Sequence, residues 1–386
     1  HKVRYREKIF SSSFFSNRNF SNELYWFHAA SIGEITSIIP LIKKLNQNNK
    51  HLDFLITTVT LSSANLVEKE LRNYNNITHR FFPLDVNHLV GKFLDTWKPN
   101  LVCFVDSEIW PNFLMEIKNR NIPLALINGR ITTKTFNKWK KFKSFAKLIF
   151  NNFDVCLVSN LNTEKNLKNL KVKNIKNYGN LKFCVPIASK NINQKDVANL
   201  NKFKTWCAAS THNGEELFCF RTHLEVKKRF KNLLTIIIPR HIHRVNYIEK
   251  LSKKFKLKSQ VLNENDTINS NIEVLIINSF GSLQKYFSYC SNVFIGKSML
   301  KKLKFVGGQN PIEAAKNGCK IFHGPFVYNF EEIYKLLKSY NITEQVENCN
   351  DLTKKLIENL KKEEKTESKK IEKLDLYGQK VLQKTI

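Results

Sequence analysis

Short apolar runs alternate with longer amphipathic stretches along most of the chain. Runs of four to eight apolar residues suit buried strands, and apolar positions spaced three and four apart suit helices. The pattern predicts a strand over Leu24–Ala29, a helix over Glu34–Asn46, a strand over Leu52–Thr58 and a helix over Ser62–Arg72. It continues with strand Leu101–Val105, helix Pro111–Asn119, strand Pro123–Asn128, helix Lys134–Phe150, strand Val155–Val158 and helix Leu161–Leu170. Strands separated by helices of this length need crossover connections, so the sheet should be parallel.

Around Pro186–Lys204 the rhythm lapses into a polar stretch that suits a linker. It then restarts with strand Thr205–Ala209, helix Gly214–Phe230, strand Leu233–Pro239, helix Arg244–Phe255 and strand Gln260–Leu262. Strand Val274–Ile277, helix Ser282–Tyr289, strand Val293–Ile295, helix Pro311–Asn317, strand Lys320–His323 and helix Phe330–Ser339 follow. The expected architecture is α/β: two Rossmann-like, doubly wound domains facing a central cleft, with a helical C-terminal tail. The expected boundaries are a basic segment over 1–22, domains over 23–188 and 189–350, and the tail over 351–386. Ligands of such sheets bind at the carboxyl ends of the strands, so the loops there should hold the chemistry.

Composition narrows the class. The 386 residues are 42% hydrophobic, enough for real cores and incompatible with wholesale disorder. There is no run of 18 apolar residues to span a bilayer. The eight cysteines never come closer than the spacing of Cys207 and Cys219, which excludes CxxC redox pairs and the usual zinc spacings. Sixty-three Lys and Arg against 33 Asp and Glu give a charge of +30. That excess is open to three readings: compositional drift toward Lys and Asn, an anionic membrane or phosphorylated lipid partner, or nucleic acid. The basic residues are spread along the chain, with local knots at 138–147 and 297–304, and no nucleic-acid-binding signature accompanies them.

Glycine points to the loops. The chain has twelve, less than half the usual ~7%, and ten stand at strand–helix junctions or in short signatures next to them. The first such loop, 28–34, reads HAASIGE; its small residues admit a ligand, and Glu34 stands in the first turn of a helix. An acid there also complements the helix dipole, so position alone leaves Glu34 structural or functional. Asp106-Ser107-Glu108 follows the strand ending at Val105, where an acid can either cap the next helix or face a substrate. Asn128-Gly129-Arg130 and Gly179-Asn180-Leu181-Lys182 place a base after two further strands. In the second half, Ser210-Thr211, Pro239-Arg240-His241, Phe280-Gly281-Ser282 and the segment Gly307 to Glu313 provide contacts of phosphate and ribose size. No Asp-x-Asp pair stands at a strand end, which disfavours a metal-held diphosphate.

Taken in order, HAASIGE (28–34), SEIWPN (107–112), NGR (128–130), GNLK (179–182), ASTHNGEE (209–216), IPRH (238–241) and GGQNPIEAA (307–315) resemble the 3-deoxy-D-manno-octulosonic acid (Kdo) transferases of lipopolysaccharide synthesis. The resemblance covers roughly residues 20–335. It implies a GT-B fold and inverting, metal-independent transfer of Kdo from CMP-Kdo to the lipid A precursor lipid IVA, with no cofactor. It implies Glu34 as general base, with Glu108 and Lys182 assisting and Ser31, Gly33 and Arg130 on the acceptor side. CMP-Kdo contacts fall on Ser210, Thr211, Pro239, Arg240, His241, Phe280, Gly281, Ser282, Gly307, Gly308, Asn310, Pro311, Ile312 and Glu313. Family members usually carry an amino-terminal hydrophobic anchor, and residues 1–22 look like the stretch that follows one. The implied location is the cytoplasmic face of the inner membrane, peripheral or anchored, with Phe136, Trp139 and Phe142 toward the anionic lipid surface and no nucleic-acid partner. The chain departs from the family pattern at Ser282 (usually Glu), Gln309 (usually His) and Asp106 (usually Glu). The readings left beside this one are another GT-B nucleotide-sugar enzyme such as an epimerase, a transferase that keeps the fold without activity, and a non-catalytic basic module binding membranes or nucleic acid.

Overall fold

The structure is a computed structural model that describes residues 12–187, 194–279, 281, 283–362 and 367–386. Contacts divide the chain into two units: one runs to Pro186 and takes in Leu376–Ile386, and the other is Ile187–Asp375. The first unit holds strands β1 (Glu23–His28), β2 (Leu52–Thr58), β3 (Ile77–Phe81), β4 (Leu101–Val105), β5 (Leu124–Gly129), β6 (Val155–Val158) and β7 (Ile175–Asn177). Their order is β3-β2-β1-β4-β5-β6-β7 and every pairing is parallel. The chain moves outward from β1 to β3, then returns to the other side of β1 at β4. The carboxyl ends of β1 and β4 are therefore the switch point where a doubly wound sheet opens for a ligand.

The second unit repeats the plan with β8 (Lys204–Thr211), β9 (Leu233–Pro239), β10 (Ser259–Leu262), β11 (Val274–Ile277), β12 (Asn292–Ile295), β13 (Lys320–His323) and β14 (Thr343–Gln345). The order is β10-β11-β9-β8-β12-β13-β14, again all parallel, and the switch point lies between β8 and β12. Central strands are buried on both faces, so they read as unbroken apolar runs; every residue of β5 and β9 is buried.

Three strands that periodicity does not predict lie at sheet edges. β3 (ITHRF) is half-buried throughout, and β7 (IKN) and β14 (TEQ) are three residues long. An edge strand is held by its backbone ladder and needs no apolar run. The helix Asn87–Trp97, also absent from the expectation, follows β3. The expected helix over 134–150 is two, Thr133–Lys141 and Lys143–Phe150, broken at Phe142 with φ −121° and ψ 55°. The break changes the aromatic face. Phe136 and Trp139 pack partly on the core, whereas Phe142, Phe145 and Leu148 are exposed. The polar linker contains the short helix Gln194–Leu200.

The stretch after Asp351 forms two helices with different attachments. Cys349–Lys362 packs into the second unit through Leu352, Leu356 and Leu360. Ser368–Thr385 carries the chain back to the first unit, where Val381 joins the core and the Tyr377 ring meets Phe183 edge-on at 5.0 Å. Gly378 is required there, because a Cβ would run into the carbonyl of Phe183. Among the described residues no helix is long and apolar enough to cross a membrane.

The core of the first unit is built around Trp26 on β1, fully buried against Phe93 (4.9 Å between ring centres), Phe113 (5.5 Å) and Phe104 (5.6 Å). Its indole N–H donates to Thr57 Oγ1 at 2.9 Å, so the one polar atom is satisfied. Trp26→Ala should destabilise this unit by about 3–5 kcal/mol, measured by urea unfolding followed in the near-ultraviolet. A loss below about 1 kcal/mol would show that the aromatic cluster collapses into the gap.

Candidate active site

His28 ends β1 at the first switch point. Its ring stacks on Phe82 with centres 3.7 Å apart, and Nδ1 lies 3.0 Å from Thr57 Oγ1 and 3.2 Å from the Thr57 carbonyl. Its Nε2 lies 3.1 Å from Glu108 Oε2, which also accepts from Trp110 Nε1 at 2.8 Å. Burial works to raise the Glu108 pKa, but the hydrogen bonds from His28 and Trp110 outweigh it and leave that carboxyl below its ordinary value. Glu108 is thus a fixed, ionised carboxylate.

Glu34 is set by the opposite balance. Ser31 caps the helix Ile32–Asn48, and Ser31 with Glu34 forms a capping box. Glu34 Oε2 accepts from Ala30 N at 2.7 Å and Oε1 accepts from Ser31 Oγ at 2.8 Å. These bonds favour the ionised form, yet burial and the charges of Asp106 and Glu108 push its pKa up to about 7. Gly33 beside it leaves open space, since a Cβ there would meet nothing within 4 Å. The structural role of a first-turn acid is therefore present, and it holds rigid a carboxylate poised near neutrality.

Asp106 and Asn128 close β4 and β5 in left-handed conformations, φ 59° and 52°, which Asp and Asn tolerate better than other non-glycine residues. The turn at Asp106 brings Arg130 beside it: Arg130 N donates to the Asp106 carbonyl at 3.0 Å, and Nε lies 3.8 Å from Oδ1. Asn128 Oδ1 accepts from Leu181 N at 3.0 Å and Asn180 Oδ1 from Lys182 N at 2.9 Å, which seats the loop carrying Lys182. Burial lowers the Lys182 pKa; Asp106 and Glu34 act against that and Arg130 acts with it. Ser31, Glu34, Glu108, Arg130 and Lys182, expected from four separate motifs, thus meet at one sheet end. Asp106 joins them.

At the second switch point Ser210 is left-handed (φ 56°) where the ladder to β9 shifts register between Ala209 and Thr211. Thr211 is fully buried and its hydroxyl has no partner among the described residues. Arg240 N donates to the Thr211 carbonyl at 3.1 Å, so Ser210 and Thr211 lie beside Pro239, Arg240 and His241; Pro239 is buried, and the other two are exposed. The rings of His212 and His241 are 5.7 Å apart. Burial lowers the pKa of both, and Arg240 and Arg244 add to the effect.

Glu215 joins the two sides of this switch point. Its buried carboxylate accepts four backbone N–H groups: His212 (3.0 Å) and Lys297 (2.7 Å) on Oε2, Ser298 (2.9 Å) and Met299 (3.0 Å) on Oε1. Burial nonetheless raises its pKa. Gly296 must be glycine here, because a Cβ would lie 2.7 Å from the Ser210 carbonyl and 2.8 Å from Glu215 Oε2. Gly308 (φ 93°) donates to the Lys297 carbonyl at 2.6 Å, so Gly307 and Gly308 are drawn to the same loop. Asn310 Oδ1 accepts from Ile312 N at 3.1 Å, and Pro311 caps the helix Ile312–Lys316 with Glu313 in its first turn. Gly281 is left-handed at φ 71°, while Phe280 and Ser282 lie outside the described residues. Glu216 fixes Arg244 through two bonds of 2.7 and 2.9 Å. Glu215 lies within the ASTHNGEE motif, which gave it no role of its own, and the loop at Gly296–Ser298 lies outside every quoted motif. The loop's sequence signal is a glycine after an apolar strand.

The family model of 3-deoxy-D-manno-octulosonic-acid transferases matches residues 4–185, which include every residue named in the first sheet end. The chain is 31% identical over 341 residues to the 3-deoxy-D-manno-octulosonic acid transferase of Rickettsia felis, covering 88% of this chain and 72% of the relative. In fold it is similar to a glycosyltransferase of Rickettsia africae (TM-score 0.63, 14% identity, 95% and 97% of the two chains). It is similar to the same degree to a putative UDP-N-acetylglucosamine 2-epimerase of Listeria monocytogenes (TM-score 0.63, 9% identity, 94% and 95%). The fold is therefore the GT-B type, which hosts transferases and epimerases alike. Sequence likeness decides between them: the chain belongs to the 3-deoxy-D-manno-octulosonic acid transferase family.

Proposed function

We propose that the protein moves Kdo from CMP-Kdo to a hydroxyl of lipid IVA with inversion, using Glu34 as the general base. The observation that carries this reading is the Glu34 carboxylate, fixed by its capping box beside open space at Gly33 and with its pKa pushed up to about 7. A base with a pKa near the working pH balances the fraction ionised against the drive to take a proton. The acceptor hydroxyl gives its proton to Glu34 as its oxygen attacks the anomeric carbon from the face opposite CMP. The bond from that carbon to the phosphate oxygen breaks, and its electron pair leaves with CMP. One base suffices, and no covalent sugar–enzyme intermediate forms. Glu108, held ionised by His28 and Trp110, steadies positive charge developing on the sugar. Lys182 and Arg130 are the cations available to the Kdo carboxylate and the acceptor.

The donor nucleotide belongs to the second unit in this reading. Arg240 offers its guanidinium to the CMP phosphate, with the Thr211 hydroxyl and the loop of Gly307 to Glu313 toward the nucleoside. The acceptor is a lipid, and residues 117–153 contain no acid while presenting Lys138, Lys140, Lys141 and Lys143 next to the exposed Phe142, Phe145 and Leu148. This face suits reversible docking on an anionic inner-leaflet surface.

Glu34→Gln keeps the cap and removes the base. Turnover should fall at least about 10²-fold with CMP affinity unchanged, read by mass spectrometry of lipid IVA incubated with CMP-Kdo generated in situ. Near wild-type turnover would leave Glu34 a helix cap only. In the wild type, activity should fall as the pH drops below about 7, where Glu34 takes up its proton. The same shift acts on stability. Folding raises the Glu34 pKa from 4.5 to about 7, so its contribution is full below 4.5 and lost as the pH rises through about 7. Glu34→Gln should therefore gain melting temperature relative to the wild type as the pH rises through that window. Arg240→Ala should weaken CMP binding by at least roughly tenfold without unfolding the protein, measured by calorimetry; equal affinity would remove Arg240 from the donor site. Binding to liposomes should rise with anionic lipid content and fall when Phe142, Phe145 and Leu148 become Ser, read by flotation.

A further inference from the structure

We propose that the loop Leu300–Val306 of the second unit is a separate lipid-contacting tip, docking on an anionic bilayer surface through an apolar pair ringed by lysines. The proposal rests on the lipid-acceptor reading only in needing a bilayer. Its residues belong to the other unit and to none of the contacts assigned to donor or acceptor.

Phe305 is 71% exposed and Val306 45% exposed, side by side. They are held outward by backbone bonds. A short turn, Lys301–Leu303, buries Leu303 beneath the loop; Val306 N and Gly307 N donate to the Leu303 carbonyl at 3.0 and 2.7 Å. Asn329 Nδ2 donates to the Val306 carbonyl at 2.8 Å and pins the far side. The loop thus turns Leu303 inward as an anchor, keeps Leu300 half-buried and presents Phe305 and Val306 to the outside. Such a pair costs solvation in water unless something covers it.

Charge identifies the cover. Between Glu273 and Glu313 the chain has no acidic residue, and Lys301, Lys302 and Lys304 flank the pair. The Lys304 ammonium lies over the Phe305 ring, 5.5 Å from its centre, so charge and apolar surface project together. Lysine stems can lie along the acyl boundary while their heads stay among phosphates, and each is worth roughly fivefold in affinity for an anionic leaflet. A nucleic acid fits less well. The loop has no arginine to grip phosphate bidentately, and Val306 gives a base nothing to stack on.

The test uses the full chain and vesicles of phosphatidylethanolamine with about one third phosphatidylglycerol, compared with neutral phosphatidylcholine vesicles. Three variants are compared: the apolar pair (Phe305→Ser with Val306→Ser), the three lysines changed to Ser, and the first-unit face (Phe142, Phe145 and Leu148 to Ser). The lysine variant should bind anionic vesicles roughly 100-fold more weakly. The apolar variant should lose at least about fivefold, and both should melt with the wild type. In Phe305→Trp, emission should shift to the blue on anionic vesicles and be quenched by brominated lipid in excess of the wild type's own change. Loop variants that bind as the wild type does, while the first-unit variant alone loses binding, would overturn the proposal and leave the acceptor reading intact. An emission shift of the Phe305→Trp variant on single-stranded RNA but not on vesicles would overturn it in favour of nucleic acid. If the wild type binds no vesicle, the loop proposal and the first-unit docking face both fail. Kdo transfer to detergent-dispersed lipid IVA then tests the reaction by itself.

Discussion

A parallel strand that hands over to a helix leaves the first N–H groups of that helix without backbone partners. At both switch points of this protein a glutamate in the first turn reaches back and holds the loop that enters the helix. Glu34 takes Ala30 N and the Ser31 hydroxyl, and Glu215 takes His212 N together with three N–H groups of the loop after β12. The two differ in what remains uncovered. Glu215 is sealed and spends its capacity on the fold, fixing the geometry around Ser210, Gly296 and Gly308. Glu34 is half-buried, with open space beside its neighbour Gly33.

The first sheet end also separates the pKa values of two neighbouring carboxyls. Glu108 receives donors from His28 and Trp110 and is held low, whereas Glu34 is buried near Asp106 and Glu108 and is pushed up to about 7. Groups driven apart in this way take different parts in acid–base chemistry. His28 acts on these carboxyls from behind, fully buried. Locked by Thr57 and stacked on Phe82, it fixes one Glu108 oxygen, and through that charge it bears on Glu34.

Central elements were legible because burial on both faces imposes a composition. β4 over Leu101–Val105 and β9 over Leu233–Pro239 coincide with their apolar runs. β3, β7 and β14 were hidden because an edge strand is held by its ladder, and sequences such as IKN and TEQ carry no apolar imprint of it. The break at Phe142 escaped because the helical period continues across it. In the candidate site, Glu34, Glu108, Arg130 and Lys182 could be found from their places after strands, since topology sends all such loops to one end. That Glu215 reaches the loop at Lys297–Met299 could not be found. It depends on β8 and β12 being neighbours, a pairing far apart in sequence.

The last helix gives the chain an unusual order of assembly. Tyr377, Gly378 and Val381 complete the core of the first unit against Phe183 and Leu181, yet they are made only after the whole second unit. During synthesis the amino-terminal half must wait, with that part of its apolar surface bare, while Ile187–Asp375 emerges and folds. A ribosome stalled before Leu376 would therefore release a defect in the half of this chain it had finished first. Quality control that recognises exposed apolar surface would read the missing Leu376–Ile386 in the part of the polypeptide made first.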